Sequence, residues 1–190
     1  MTHSAELFST PPSLEIFRIY TEANNLFATG RPDDDVVLYE QISQRDTTWL
    51  SHLVMLSASH SNAGRLEEAD SIFRYMDARR SRLTRLEQAL LDWSWACDQG
   101  DLEGEYRAIM EAVSLDPVTS AYNAALTCSR SNRLEETLEH LSRRDTTHVF
   151  GTWGNTLKYS ALVRLGRLDE ALTFARARRA ADPTSRAYLN

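Results

Sequence analysis

The sequence predicts an all-α protein: an α-α superhelix, a solenoid of about five helical hairpins. Three observations carry that expectation. A short turn motif recurs as Gly64-Arg65-Leu66-Glu67-Glu68-Ala69, Gly100-Asp101-Leu102-Glu103, Asn132-Arg133-Leu134-Glu135-Glu136-Thr137 and Gly166-Arg167-Leu168-Asp169-Glu170-Ala171, with a fainter copy at Gly30-Arg31-Pro32-Asp33. Its leading residues stand 34, 36, 32 and 34 positions apart, a period typical of stacked repeats. Apolar residues on either side of each turn recur at helical spacing. A lone hairpin cannot bury its apolar face, so one continuous body over 13–190 is expected.

Residues 1–12 are polar, end in Pro11-Pro12 and read as a disordered leader. The first pair spans 13–46. Ser13 is placed to N-cap its first helix, Leu14, Ile16, Phe17, Tyr20 and Phe27 form its stripe, and Gly30 ends it. Pro32 suits the first turn of the second helix. Asp33, Asp34 and Asp35 then read as a solvated acidic start that favours the helix dipole, because no calcium-loop spacing follows them.

The second pair spans 48–81. Trp49, Leu50, Leu53, Val54 and Leu56 stripe its first helix, and Leu66, Ala69, Ile72, Phe73 and Met76 its second, with Leu66 counted as core. His52 and His60 are eight residues apart, too far for an i, i+4 chelate, and read as ordinary histidines. Thr84 and Glu87 form a capping box that opens the third pair, 84–117. In that helix one of Trp93 and Trp95 is expected in the core and the other towards solvent. The fourth pair, 118–146, starts on the small residues Ala121, Ala124, Ala125 and Cys128, and Asn132 takes the place of glycine at its turn. A longer connection holds His148, Val149 and Phe150. The fifth pair, 152–183, closes on Asp182-Pro183, and 185–190 reads as the start of a further helix or a partial cap.

The 190 residues hold 21 basic and 27 acidic side chains, a net charge of −6. That balance argues against a nucleic-acid binder, which would carry a basic stripe. Lys158 is the sole lysine, a bias compatible with a GC-rich coding genome. No apolar run reaches the ~20 residues of a membrane span and no signal-peptide pattern opens the chain, so a cytoplasmic protein is expected. Cys97 and Cys128 are too few for a disulfide framework. Buried free thiols are expected, with pairing left open by their matching places in successive first helices. There is no Gly-rich phosphate loop, nucleophile elbow or metal-ligand cluster, so no catalytic residue, metal or cofactor is expected. The acid pairs Glu67/Glu68, Glu135/Glu136 and Asp169/Glu170 recur once per repeat, as helix starts do.

A hairpin of about 34 residues with small residues at and after the turn, ending in Asp116-Pro117 and Asp182-Pro183, resembles the tetratricopeptide repeat. The resemblance covers roughly 13–190. Glu105 and Thr137 depart from it, standing where that family usually has alanine. A looser resemblance links Ser13–Tyr20, and Arg82-Leu83-Thr84-Arg85-Leu86-Glu87 before a Trp-bearing helix, to such repeats in bacterial multidomain regulators: serine/threonine kinases, nucleotide cyclases and transcriptional activators. None of their catalytic or DNA-binding modules is present.

The repeat resemblance implies that first helices line a concave groove. On that alignment the groove carries Phe17, Tyr20, Asn24 and Phe27, then Ser51, Val54, Ala58 and Ser61, then Leu90, Ser94 and Cys97. Tyr122, Leu126, Ser129 and Arg130 follow, and finally Trp153, Thr156 and Ser160. The candidate site residues are Tyr20, Asn24, Phe27, Val54, Ser94, Tyr122, Leu126, Arg130 and Trp153. They are not the Lys/Asn/Arg set with which co-chaperone members hold an acidic C-terminus. The expected function is a non-enzymatic scaffold that binds a protein, as a peptide or partner helix, in this groove, with no nucleic acid and no membrane as partner. The oligomeric state is left open. The alternative is a regulatory or sensor module of a larger bacterial signalling protein, and more remotely an enzyme or an RNA-binding helical repeat.

Overall fold

The computed structural model describes residues 8–143 and 151–181. Among them are ten α-helices and no strand: α1 (Leu14–Ala28), α2 (Pro32–Arg45), α3 (Ser51–Asn62), α4 (Leu66–Asp77), α5 (Arg85–Gln99), α6 (Leu102–Leu115), α7 (Ala121–Arg130), α8 (Leu134–Ser142), α9 (Gly151–Arg164) and α10 (Leu168–Ala181), with one 3-10 turn at Arg80–Arg82. The ending at Asp182-Pro183, the expected helix start over 185–190, and His148, Val149 and Phe150 lie outside the described residues.

Five turns share one hydrogen-bond pattern. The residue after the turn position donates its N–H back to a carbonyl five residues earlier: Arg31 to Leu26 (3.2 Å), Arg65 to His60 (2.9 Å), Asp101 to Ala96 (2.9 Å), Arg133 to Cys128 (2.7 Å) and Arg167 to Leu162 (2.9 Å). The turn residue itself donates to a carbonyl three back. This is the Schellman motif, which satisfies the last carbonyls of the first helix and requires a left-handed residue at C′. Asn132 meets the requirement with φ 58°, the one place where a side chain replaces hydrogen. Second helices then start without delay, and Asp101 caps α6 by accepting from the Gly104 N–H at 2.9 Å.

The turn also sets which residue of the second helix enters the core. The position five after the turn residue is Asp35, Ala69, Glu105, Thr137 and Ala171, and every one is at most 2% exposed. Leu66, Leu102 and Leu168, two after the turn, are 58%, 43% and 61% exposed. Leu66 is therefore not a core residue, unlike Leu134 at the matching position of α8, which is 8% exposed. Asp35 corrects the reading of the three aspartates as a solvated start: Asp33 and Asp34 are exposed, Asp35 is fully buried. Burial raises its pKa, and neither carboxylate oxygen has a hydrogen-bond partner among the described residues.

The chain divides at Asp116-Pro117 into two compact units, Met1–Asp116 and Pro117–Asn190. A helix cannot run through that dipeptide, and Asp116 is extended. In the first unit the core joins Ile16, Val36, Tyr39, Ile42, Trp49, Leu50, Leu53, Leu56, Met76, Leu83 and Leu91. Burying side chains of this size contributes roughly 1.5–3 kcal/mol each. Tyr39 ties α2 to α1, donating its hydroxyl to Asn24 Oδ1 at 2.7 Å. Its ring meets Tyr20 edge-on, and Tyr20 in turn meets Trp49. Trp93 and Trp95 are both half-buried, Trp95 stacked on Phe73 at 4.0 Å between centroids.

Residues 8–12 are not a loose leader throughout. Ser9 is bonded to Trp49 and Glu87, which the polar composition of the segment gave no reason to expect.

The second unit has a core of small residues. Ala121, Ala124, Ala125 and Cys128 of α7 are fully buried, with Thr137 of α8 and Ala161 of α9. The Arg164 guanidinium fastens α9 to the α7 turn through Ser129 O, Ser129 Oγ and Asn132 Oδ1, at 3.0–3.1 Å. Neither cysteine is in a disulfide. Burial, and then Glu136, pushes the Cys128 thiol up to about 11, so it stays protonated at neutral pH.

Candidate functional site

Helix α3 is buried nearly all round, and its two sides meet different surroundings. At about 100° per residue, Ser51, Val54, Ala58 and Ser61 share one side and His52, Leu53, Leu56 and His60 the other. The first side packs on α5. The Ser51 hydroxyl donates to Glu87, and Ser61 Oγ donates to Asp98 at 2.8 Å. The second side is the floor of an open cleft of about 690 Å³, walled by α2 and α4.

The cleft has an apolar floor and an acidic rim. Trp49, Leu53, Leu56, Ile72 and Tyr75 supply apolar surface, and Glu40, Asp46 and Glu68 supply carboxylates; among the described residues no Lys or Arg lines it. Asp46 is engaged locally, accepting from the N–H groups of Thr48 (2.6 Å) and Trp49 (2.9 Å) and so fixing the entry to α3. The Thr48 hydroxyl, which donates to the same carboxylate at 2.7 Å, and then these two main-chain bonds hold its carboxyl below the usual range. Glu40 and Glu68 lie on facing helices with His60 between them. The His60 ring is 6% exposed, and its Nδ1 is buried without a hydrogen-bond partner among the described residues. Burial and then Arg65 push its pKa down, against Glu40 and Glu68. His52 stacks on the Trp49 indole at 5.5 Å, with Nε2 2.8 Å from Ser43 Oγ. Burial lowers it to about 4, against the Trp49 main chain and Asp46. Both rings are thus neutral at pH 7. Among the described residues, no group of three or more His, Cys, Asp or Glu side chains is placed to hold a metal ion.

The residues expected to line a first-helix groove fall into two sets. In the first unit, Tyr20 and Asn24 are engaged by Tyr39 and Trp49, Phe27 and Val54 are half-buried, and Ser94 is 8% exposed. In the second unit, Trp153 is 39% exposed with its ring 6.4 Å from that of Tyr122, Leu126 is half-buried and Arg130 is exposed. The structure brings Tyr20 and Asn24 together, and Tyr122 and Trp153. The cleft residues Glu40, His60, Glu68 and Tyr75 were not singled out as a site by the sequence. The usable signal was the i, i+4, i+8 series His52, Leu56, His60, which puts two histidines on one side of a helix already known to be apolar on both.

No family model matches the sequence, and no curated protein does. Solved structures do. The thermophilic TPR protein TTC0263 of Thermus thermophilus matches over 91% of this chain and 94% of its own, with a TM-score of 0.65 at 15% identity. The MamA RS-1 ArsTM double mutant matches over 91% of this chain and 99% of its own, with a TM-score of 0.50 at 11% identity. Likeness at such identities is a likeness of fold. Ten helices in hairpins among the described residues, five Schellman turns and these two matches make the chain an all-α helical-repeat protein with the fold of the tetratricopeptide repeats.

Proposed function

We propose that the chain is a non-enzymatic protein-interaction scaffold whose first unit receives a partner segment in the cleft between α2 and α4. The observation that carries this reading is a cleft of about 690 Å³ with an apolar floor and an acidic rim, a size within the usual range for ligand sites. The rim selects the partner. A peptide or helix bearing Arg or Lys can lay its aliphatic stem on Leu56 and Ile72 and set its charge between Glu40 and Glu68. Tyr75 on the α4 wall, 39% exposed and with the Arg79 guanidinium 3.7 Å from its ring centre, is of the type that dominates binding energy in such places.

The groove along the first helices is the second reading. Exposed Trp153 beside Tyr122 favours it in the second unit. In the first unit Tyr20, Asn24 and Ser94 are already engaged or buried, which weighs against it there.

Photo-crosslinking separates the two. A photoreactive residue replaces Tyr75 in one chain and Leu126 in another, and both are exposed to extract of the native host. Crosslinks from position 75 that are lost with Glu40→Lys and Glu68→Lys are expected. Crosslinks from position 126 alone would move the site to the first helices.

A further inference from the structure

Ser9 is held as a ligand would be. Its N–H donates to Glu87 Oε1 at 2.9 Å, its hydroxyl donates to the same oxygen at 2.6 Å, and its carbonyl accepts from Trp49 Nε1 at 3.0 Å. Its Oγ also lies 2.8 Å from Ser51 Oγ. An acceptor and a donor that read the N–H and C=O of one residue reproduce the pairing that a sheet edge offers an added strand.

Each receiving group also has a contact of its own besides Ser9, Ser51 through its hydroxyl bond to Glu87. Glu87 is 1% exposed and is anchored through Oε2 by the Thr84 N–H at 2.8 Å. Trp49 is 6% exposed and stacked on His52. Ser51 is buried at the start of α3. An acceptor, a donor and a hydroxyl therefore stay aimed at this place when the segment leaves it. The segment itself is lightly held: Phe8, Thr10 and Pro12 are exposed on either side of the one bonded residue.

We propose that Trp49, Ser51 and Glu87 form a binding site for an extended peptide, which the chain's own Ser9 segment fills in cis and a partner segment with serine or threonine at the reading position displaces. The main-chain bonds make the site tolerant of the flanking sequence. The hydroxyl bond fixes the reading position, where a carboxylate side chain would face Glu87 and be rejected. The site shares only Trp49 with the α2–α4 cleft and does not rest on the function proposed for it.

The test uses the full chain with Ser9→Asp, which expels the segment by repulsion from Glu87. The probe is a fluorescent synthetic peptide of residues 5–13, read by anisotropy. The variant should bind it, and the unaltered chain should bind about ten-fold or more weakly, the factor being the closed-to-open ratio of its own segment. A probe carrying Ser9→Asp should not bind. Ser9→Pro is the second variant, since it removes the N–H and the hydroxyl without adding charge. A folded variant that fails to bind, or equal binding by variant and unaltered chain, would overturn the proposal. Loss of helicity in both variants would overturn it too, by making the segment part of the fold rather than an exchangeable occupant.

Discussion

Ser51 and Ser61 on one side of α3 are bonded to Glu87 and Asp98 of α5, whereas His52, Leu56 and His60 on the other side look into a cleft that α2 and α4 leave open. The two sides belong to one twelve-residue helix, and each carries two polar and two apolar side chains: Ser51, Val54, Ala58 and Ser61 against His52, Leu53, Leu56 and His60. What separates them is the neighbour. A serine hydroxyl facing a carboxylate is satisfied and closes the contact, while His60, itself only 6% exposed, keeps a buried Nδ1 without a hydrogen-bond partner among the described residues, beneath a cleft rimmed by two carboxylates on separate helices. Availability for binding is thus decided one layer away from the helix that carries the residues.

The largest effect is expected on the closed side. Glu87→Ala removes the capping box and the acceptor for Ser9 and Ser51, and should cost about 2–4 kcal/mol in urea unfolding. Glu87→Gln keeps an acceptor and should cost clearly less. Equal losses would mean that charge, not hydrogen bonding, closes this side.

The open side should show in acid. The folded pKa of His52 is about 4 against an ordinary 6.5, so the unfolded chain binds the extra proton between those values. Stability should be full above pH ~6.5, fall as pH drops towards ~4 by up to about 3 kcal/mol, and level off below. His52→Asn should flatten that slope. Glu87, held below its ordinary value by Ser51, Ser9 and Thr84 against the opposing effect of burial, adds its own loss at lower pH. A slope unchanged by His52→Asn would place the titration elsewhere.

Asp35 marks the edge between the sides, facing Ser59. Its raised pKa means that folding penalises its ionised form, so stability is lost as pH rises through the folded value. Asp35→Ala, which installs the residue found at the matching positions 69 and 171, should stabilise the protein by about 1 kcal/mol at pH 7. The gain should shrink as pH falls and Asp35 becomes protonated. The smallest effects are expected at exposed positions: Leu66→Asp, and Glu40→Gln with Glu68→Gln, should each leave the melting transition within about 0.5 kcal/mol.

Most of the fold was legible because the turn chemistry is strictly local. Gly30, Gly64, Gly100, Asn132 and Gly166 announce the same hydrogen-bonded turn, and Thr84 with Glu87 announces its cap. Core membership was less legible. The repeated leucine at 66 drew attention by its character, yet the helix geometry buries position 69 instead. Asp35 and Glu105 stand at that buried position with carboxylates, and only their register with Ala69 and Ala171 could have revealed it. The cleft was legible only in the i, i+4, i+8 series His52, Leu56, His60; its opening depends on how far α2 and α4 stand apart, which no pattern within either helix encodes. Nor could the polar leader announce that Ser9 would meet Glu87, seventy-eight residues away.

The most direct test of the claim that the open side of α3 is the docking surface is an NMR titration of the isotope-labelled chain with a short helical peptide of alternating Leu and Arg. The expected result is a set of shifted amides confined to 40–44, 52–60 and 68–75, with movement of the Trp49 indole signal and loss of the response in Glu40→Gln/Glu68→Gln. Shifts at 121–130 and 153–160 that persist in that double variant would contradict it.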